Sequence, residues 1–380
     1  MPLSEKKKPK FPRPFLGTGL EDESEQECRL ARKAPNEIEA EKHLLKAIEL
    51  RPLNGAAYYD LAFLRFRLKK HGQDTVLDQR IEYMEEAEAK MYSLIINDKD
   101  LSSKMGDLYD CPNTRSYVLF LYDFIQELIV GARYEQALAY CKKYIDVDAT
   151  DAMYVRFMMT KLMLTLDKLD EFESFYEQNP TEENLALADK ALYYSITNQV
   201  KEFYDVAEKL RENPFLYSYV LYGNPLVEDF VKHTATYEYG LDWEEECDHF
   251  IHDVRMTGLQ DELTRIQAFR SLSLIKSMKD IPDSFWTMFF FMLPLHITGL
   301  EPFTLLEVVK YFKESEIEDL EEIDKEEVRS TINAMKKEGL IQNEGNGRYK
   351  FSLEAGDFFL GLFLWSAERK GELHFDEEEN

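Results

Sequence analysis

Paired cysteines, catalytic signatures, membrane-length apolar runs and positive charge are all scarce in this chain. Cys28, Cys111, Cys141 and Cys247 stand apart with no Cys-x-x-Cys spacing, which argues against a disulfide framework or a cysteine-based zinc site and for a reducing compartment. Gly-x-Ser-x-Gly, a phosphate loop, His-Glu-x-x-His and Gly-x-Gly-x-x-Gly do not occur. No catalytic residue, cofactor or metal is therefore expected, and the chain reads as a non-enzyme. Cys247, His249 and His252, with His233 nearby, come nearest to a ligand cluster. On a helix over 243–255, His249 and His252 share a face while Cys247 points away, so one helix cannot present all three.

Ser284 to Leu300 is strongly apolar, but it contains Pro294 and His296 and is flanked by Asp283 and Glu301. A span needs about 20 apolar residues and prefers basic anchors, so a buried helix is expected here and no membrane partner. The N-terminus carries Lys6, Lys7, Lys8, Lys10 and Arg13, with prolines 9, 12 and 14 where an export signal would need an apolar segment. A cytoplasmic location is the expectation. With 46 basic against 73 acidic residues the net charge is -27, which disfavours nucleic acid and anionic membrane and favours a basic protein or peptide partner.

What the chain does have is helical periodicity that repeats. The 380 residues, 44% hydrophobic, suffice for two or three domains or one extended solenoid. Asn179-Pro180 closes one pair of helical patterns and Asn213-Pro214 closes the next, thirty-four residues on. Residues 1–24 read as a basic, Pro-rich flexible arm. Asn36 is a candidate N-cap, after which Ile38, Leu44, Leu45 and Ile48 keep helical spacing until Pro52. Asp74 to Asp98 is a long charged helical pattern followed by a polar loop to Pro112, read as an insertion near 73–112. Tyr117, Leu121, Phe124, Ile125 and Leu128 form one helical face, Gly131 turns the chain, and Tyr134, Ala137, Cys141 and Tyr144 face back. Further pairs span about 151–179 and 183–213, and residues 214–280 read as a helical cap or linker over the end of the stack.

Ala40, Leu44, Ala47 and Pro52 stand at offsets of four, seven and twelve, and Tyr58, Leu61 and Ala62 follow. These residues resemble the small, large, small and proline positions that end one tetratricopeptide repeat and the large, large and small ones that open the next. Tyr134 and Ala137 match the same pattern, while Cys141 and Tyr144 depart from it. The resemblance implies an all-α, TPR-like solenoid of degenerate helical hairpins over 25–213. Its concave face would bind a peptide or protein, with Tyr59, Arg67, Tyr122, Tyr154 and Lys161 near inner positions.

From about 281 the order changes: the aromatic run, Phe303 to Phe312, Lys325 to Glu338, then Gly339-Leu-Ile-Gln, a turn at Asn343 to Gly347, and Arg348 to Ser352. Three helices and a hairpin resemble a winged-helix module over 281–370, followed by an acidic tail at 371–380. That family would direct Arg329, Asn333, Lys336 and Lys337 toward DNA, with Arg348 and Lys350 on the wing. Residues 301–380 hold ten basic against twenty-one acidic side chains, which disfavours phosphate. The expected function is a non-enzymatic adaptor; the alternative is a transcriptional regulator with a repeat sensor and a DNA-binding winged helix.

Overall fold

The computed structural model describes residues 8, 22–66, 74–210, 213, 216, 217, 219, 220, 250–259, 303–314, 325–337 and 339–352. Arg67, nearly all of the arm, the run at 284–300, most of 214–280 and the acidic tail lie outside them. The described residues are mostly helical, with one small three-stranded sheet near the C-terminus. None of the described helices is long and apolar enough to cross a membrane. Two compact units divide the chain, residues 1–173 and 174–380.

The first unit opens with α1 Glu23–Lys33 and α2 Glu37–Leu50, packed on each other. Each starts on a side-chain cap: Asp22 accepts from the Glu25 N–H and Asn36 from the Glu39 N–H. Ala31, Ala40 and Ala47 are wholly buried between them with Leu44, and small residues at these positions let the helices approach closely. After Pro52 the chain reaches Asn54, a buried hub. Its amide donates to Ser24 Oγ at 2.7 Å, its oxygen accepts from the Ala57 N–H, and the Ser24 hydroxyl donates to the Ala47 carbonyl. One side chain thus ties α1 and the end of α2 to the start of α3 Gly55–Arg65. Gly55 is there for space: a Cβ would lie 2.2 Å from the Ser116 carbonyl oxygen and 2.5 Å from Phe120 Cβ, both on α6 Pro112–Val130.

The helix expected as an insertion, α4 Asp74–Asn97, is part of this core. Ile81, Met84, Ala87, Met91 and Ile95 bury one stripe, and α4 packs on α3 and α6. Arg80 on α4 pairs with Glu127 on α6, donates to the Phe66 carbonyl and lies 4.2 Å from the centre of the Phe63 ring. Burial pushes the Glu127 carboxyl up, against the pull of Arg80. A pair this buried adds little net stability, but losing one partner strands the other as an uncompensated charge. The short α5 Lys99–Ser102 leads into a loop that is not simply polar. Gly106 and Leu108 both donate to the carbonyl of Val147, at the end of α7 Tyr134–Val147.

The turns between paired helices repeat. In α6–α7, in α8 Val155–Thr165 to α9 Leu169–Gln178, and in α10 Asn184–Ile196 to α11 Val200–Lys209, one residue takes a left-handed conformation: Ala132, Asp167 and Asn198. In each turn the next N–H reaches back five residues, Arg133 to Leu128, Lys168 to Met163 and Gln199 to Tyr194, all at 2.8 Å. This is the Schellman closure of a helix end. The expected turn residue, Gly131, has φ of -79°. It is glycine because a Cβ would approach Ile81 Cδ1 to 2.8 Å, and Ala132 carries the left-handed angle instead. An ion pair also recurs from one helix pair to the one before it: Arg133 with Asp78 and Lys168 with Glu135.

In the second unit α10 packs on α11, and Tyr176 donates to the buried carboxylate of Asp189 at 2.9 Å. The small sheet follows, from β1 Phe303–Thr304, β2 Ile341–Gly345 and β3 Arg348–Phe351 in the order β1-β3-β2, all antiparallel, with α12 Leu305–Glu314 and α13 Lys325–Lys337 between β1 and β2. Phe303 and Thr304, read from the sequence as helix, are strand. Phe303 packs against Tyr349 and Phe351, and Thr304 and Glu307 cap each other's N–H groups to start α12. Asn346 and Gly347, both at positive φ, make the two-residue turn that matches strand twist.

Two backbone substitutions test these contacts by chemical denaturation. Gly55→Ala is expected to destabilise the protein by about 1–3 kcal/mol through overpacking. Ala132→Gly is expected to stabilise it by roughly 1 kcal/mol by relieving the left-handed angle.

Candidate functional site

Burial divides the helices into two kinds. In α3, α8 and α10 no residue is exposed, and in α6 only the terminal Pro112, Asn113 and Val130 are. In α2, α7 and α11 an exposed stripe alternates with the buried one. On α6 the four residues that stay half-buried between Thr114 and Ile129 are Arg115, Leu119, Tyr122 and Gln126. Their offsets of four, seven and eleven place them on one line of the helix. This line is the accessible face of the longest of the nearly buried helices.

The sequence candidates divide around it. Tyr122 lies on the line, and Tyr154 is 51% exposed with its ring 6.3 Å from that of Phe157. Tyr59 is buried, its ring centre 4.7 Å from that of Phe63. Lys161 is wholly buried and donates to the Phe157 carbonyl at 3.2 Å, so it offers no ammonium at the surface. Arg67 falls outside the described residues. Sequence reasoning missed Arg115, Leu119 and Gln126, although their spacing from Tyr122 was a legible signal.

Charge on these helices is sorted by depth. In α3 and α6 the carboxylates of Asp60, Asp123 and Glu127 are buried. Arg32 of α1 grips Asp60 with two donors, at 2.9 and 2.7 Å. The half-buried charges of α3, α6 and α8 are Arg65, Arg115 and Arg156. Arg65 pairs with Glu41, and Arg156 lies 3.6 Å from Asp151. Arg115 donates to the Tyr109 carbonyl at 2.8 Å and stacks over that ring, with no carboxylate in ion-pairing range among the described residues.

On the small domain, Arg329 pairs with Glu326, Lys336 sits 5.6 Å from the centre of the Tyr349 ring, and Lys350 reaches Glu208 at 3.2 Å. Asn333, Lys337 and Arg348 are exposed. Among the described residues Cys28, Cys111 and Cys141 are in no disulfide, and no three His, Cys, Asp or Glu side chains are grouped to hold a metal. His252 is exposed; Cys247, His249 and His233 lie outside the described residues.

Tyr154 owes its position to the turn between α7 and α8. Asp151 and Tyr154 both have positive φ, 51° and 55°, and such angles in non-glycine residues persist only where the surroundings impose them. Asp148 accepts from the Thr150 hydroxyl and the Ala152 N–H. Asp151 accepts from the N–H groups of Val155 and Arg156 at 2.6 and 3.2 Å, capping α8. Burial pushes the Asp151 carboxyl up to about 6, beyond what its N–H bonds and Arg156 offset. A folded-state value raised above that of the unfolded chain contributes stability at low pH, lost as pH rises through about 6. Between about pH 4.5 and about pH 7.5, Asp151→Asn should therefore gain roughly 2 kcal/mol relative to the parent chain. Denaturation curves at the two pH values measure this; equal differences at both would refute it.

Comparison with protein-family models, with curated proteins and with solved structures finds no match for this chain.

Proposed function

We propose that this protein is a non-enzymatic adaptor whose helix pairs form a tetratricopeptide-like stack that binds a segment of a partner protein along its first helices. The observation that carries this reading is the accessible line Arg115, Leu119, Tyr122 and Gln126 on α6, a helix otherwise buried between its ends. Mixed polar, aliphatic and aromatic side chains at helical spacing suit an extended or helical peptide. The stacked arrangement is supported by the repeated Schellman turns and by the ion pairs that step from one helix pair to the preceding one. It is supported too by the buried Ala40, Leu44, Ala47, Leu61 and Ala62, the residues on which the resemblance rests. Tyr122→Ala, in protein shown to be folded, is expected to reduce recovery of the partner in affinity capture from the source cells by about ten-fold, the scale of an aromatic anchor. Unchanged recovery would remove the reading.

The small domain favours a second reading, because strand, two helices and a hairpin with sheet order β1-β3-β2 suit a winged helix, and α13 leaves Asn333 and Lys337 exposed. A DNA-binding regulator is the function that would follow. It stands second because Arg329, Lys336 and Lys350 have partners within the chain, which leaves fewer cations for phosphate. The full chain is expected to show no salt-sensitive duplex binding in fluorescence anisotropy; tight, salt-sensitive binding would promote this reading over the adaptor.

A further inference from the structure

We propose that the α6 line takes an acidic segment of the partner, with Arg115 as its charged anchor and Leu119 and Tyr122 as its apolar contacts. This rests on the adaptor reading and replaces the basic partner expected from net charge. The chain carries -27 overall, yet the accessible charges of α3, α6 and α8 are all arginines, while the carboxylates of α3 and α6 are buried. Two of the three are paired internally: Asp60 with Arg32, Glu127 with Arg80. Acidic side chains instead crowd the exposed stripes of the other helices, among them Glu135 and Asp146 on α7 and Glu82 and Glu86 on α4. Screening limits their repulsion of an acidic ligand to about 8 Å at physiological salt, so the local sign decides what docks.

Arg115 suits the role on geometry. Its Nε is committed to the Tyr109 carbonyl and its Cζ lies over the Tyr109 ring, 5.2 Å from the centre, which holds the guanidinium without neutralising it. A carboxylate meeting it gains a charge-assisted hydrogen bond to a group already held in place. Gln126, at the far end of the line, can donate to and accept from an extended peptide backbone. A basic segment would meet like charge and no accessible carboxylate on this helix.

The test is a fluorescence-anisotropy titration of the full-length protein against a fluorescein-labelled, Glu-rich peptide carrying one leucine and one tyrosine, and against its Lys-rich counterpart. The Glu-rich peptide is expected to bind more tightly and to weaken with salt. Arg115→Gln should weaken it by at least about ten-fold, the worth of one charged hydrogen bond, and Arg115→Lys by less. Circular dichroism would establish that each variant is folded, and a variant that unfolds is replaced by Tyr122→Phe and Leu119→Ala, expected to weaken the same peptide. Tighter binding of the Lys-rich peptide, or an unchanged affinity in folded Arg115→Gln, overturns the proposal. So does binding that emerges only when residues 371–380 are deleted, because the face would then belong to the chain's own acidic end. If these peptides fail while partner capture still depends on Tyr122, the adaptor reading survives and the acidic ligand does not.

Discussion

Closing the ends of short helices is the constraint on which this structure depends. Helices of ten to fourteen residues such as α2, α7, α9 and α11 leave a large share of their backbone groups unpaired at the ends, and short turns bring those ends into the core, where each must find a partner. Two solutions recur. Within a pair, a left-handed residue folds the next N–H back onto the helix it has just left. Between pairs, a buried Asn or Asp, as at Asn54, Asp151 and Asn213, caps the next segment. Both fix how one helix enters after another, so the packing of neighbouring helices follows from the corners as much as from the cores.

That dependence explains why the corners hold groups that would otherwise be unfavourable. Asp151 is a buried carboxylate at a left-handed angle, two costs at one position, tolerated because it satisfies two N–H groups of α8. Gly55 and Gly131 serve proximity and not flexibility, each standing where a side chain would strike a neighbouring helix. The buried pair Arg80–Glu127 sits in the same way across α4 and α6: apolar residues could fill the space, but with the pair in place the loss of either partner leaves the other charge buried and uncompensated.

The proposed site is what remains after these demands are met. Packing takes nearly every residue of α3, α6 and α8, and burial withdraws the carboxylates of α3 and α6 from the surface. The residual line on α6 therefore differs in charge from the molecule that carries it. The same logic applies to the small domain, where Lys336 and Lys350 are drawn into contacts with Tyr349 and Glu208.

The sequence by itself determined that the chain is mainly helical, where most of the described helices run, and that a hairpin turns within Asn343 to Gly347, because periodicity, caps and turn residues are local and act through neighbouring positions. Only the tertiary structure decided that α4 packs into the core against α3 and α6, that Phe303 and Thr304 are strand, and that Ala132 and not Gly131 carries the left-handed angle. It alone buried Tyr59 and Lys161 and left Arg115 without a carboxylate partner among the described residues. These outcomes depend on which side chains arrive from distant parts of the chain: Ile81 against Gly131, Tyr349 against Phe303, Arg32 against Asp60. Spacing within one helix reveals which residues share a face, but what covers that face is set by helices dozens of residues away.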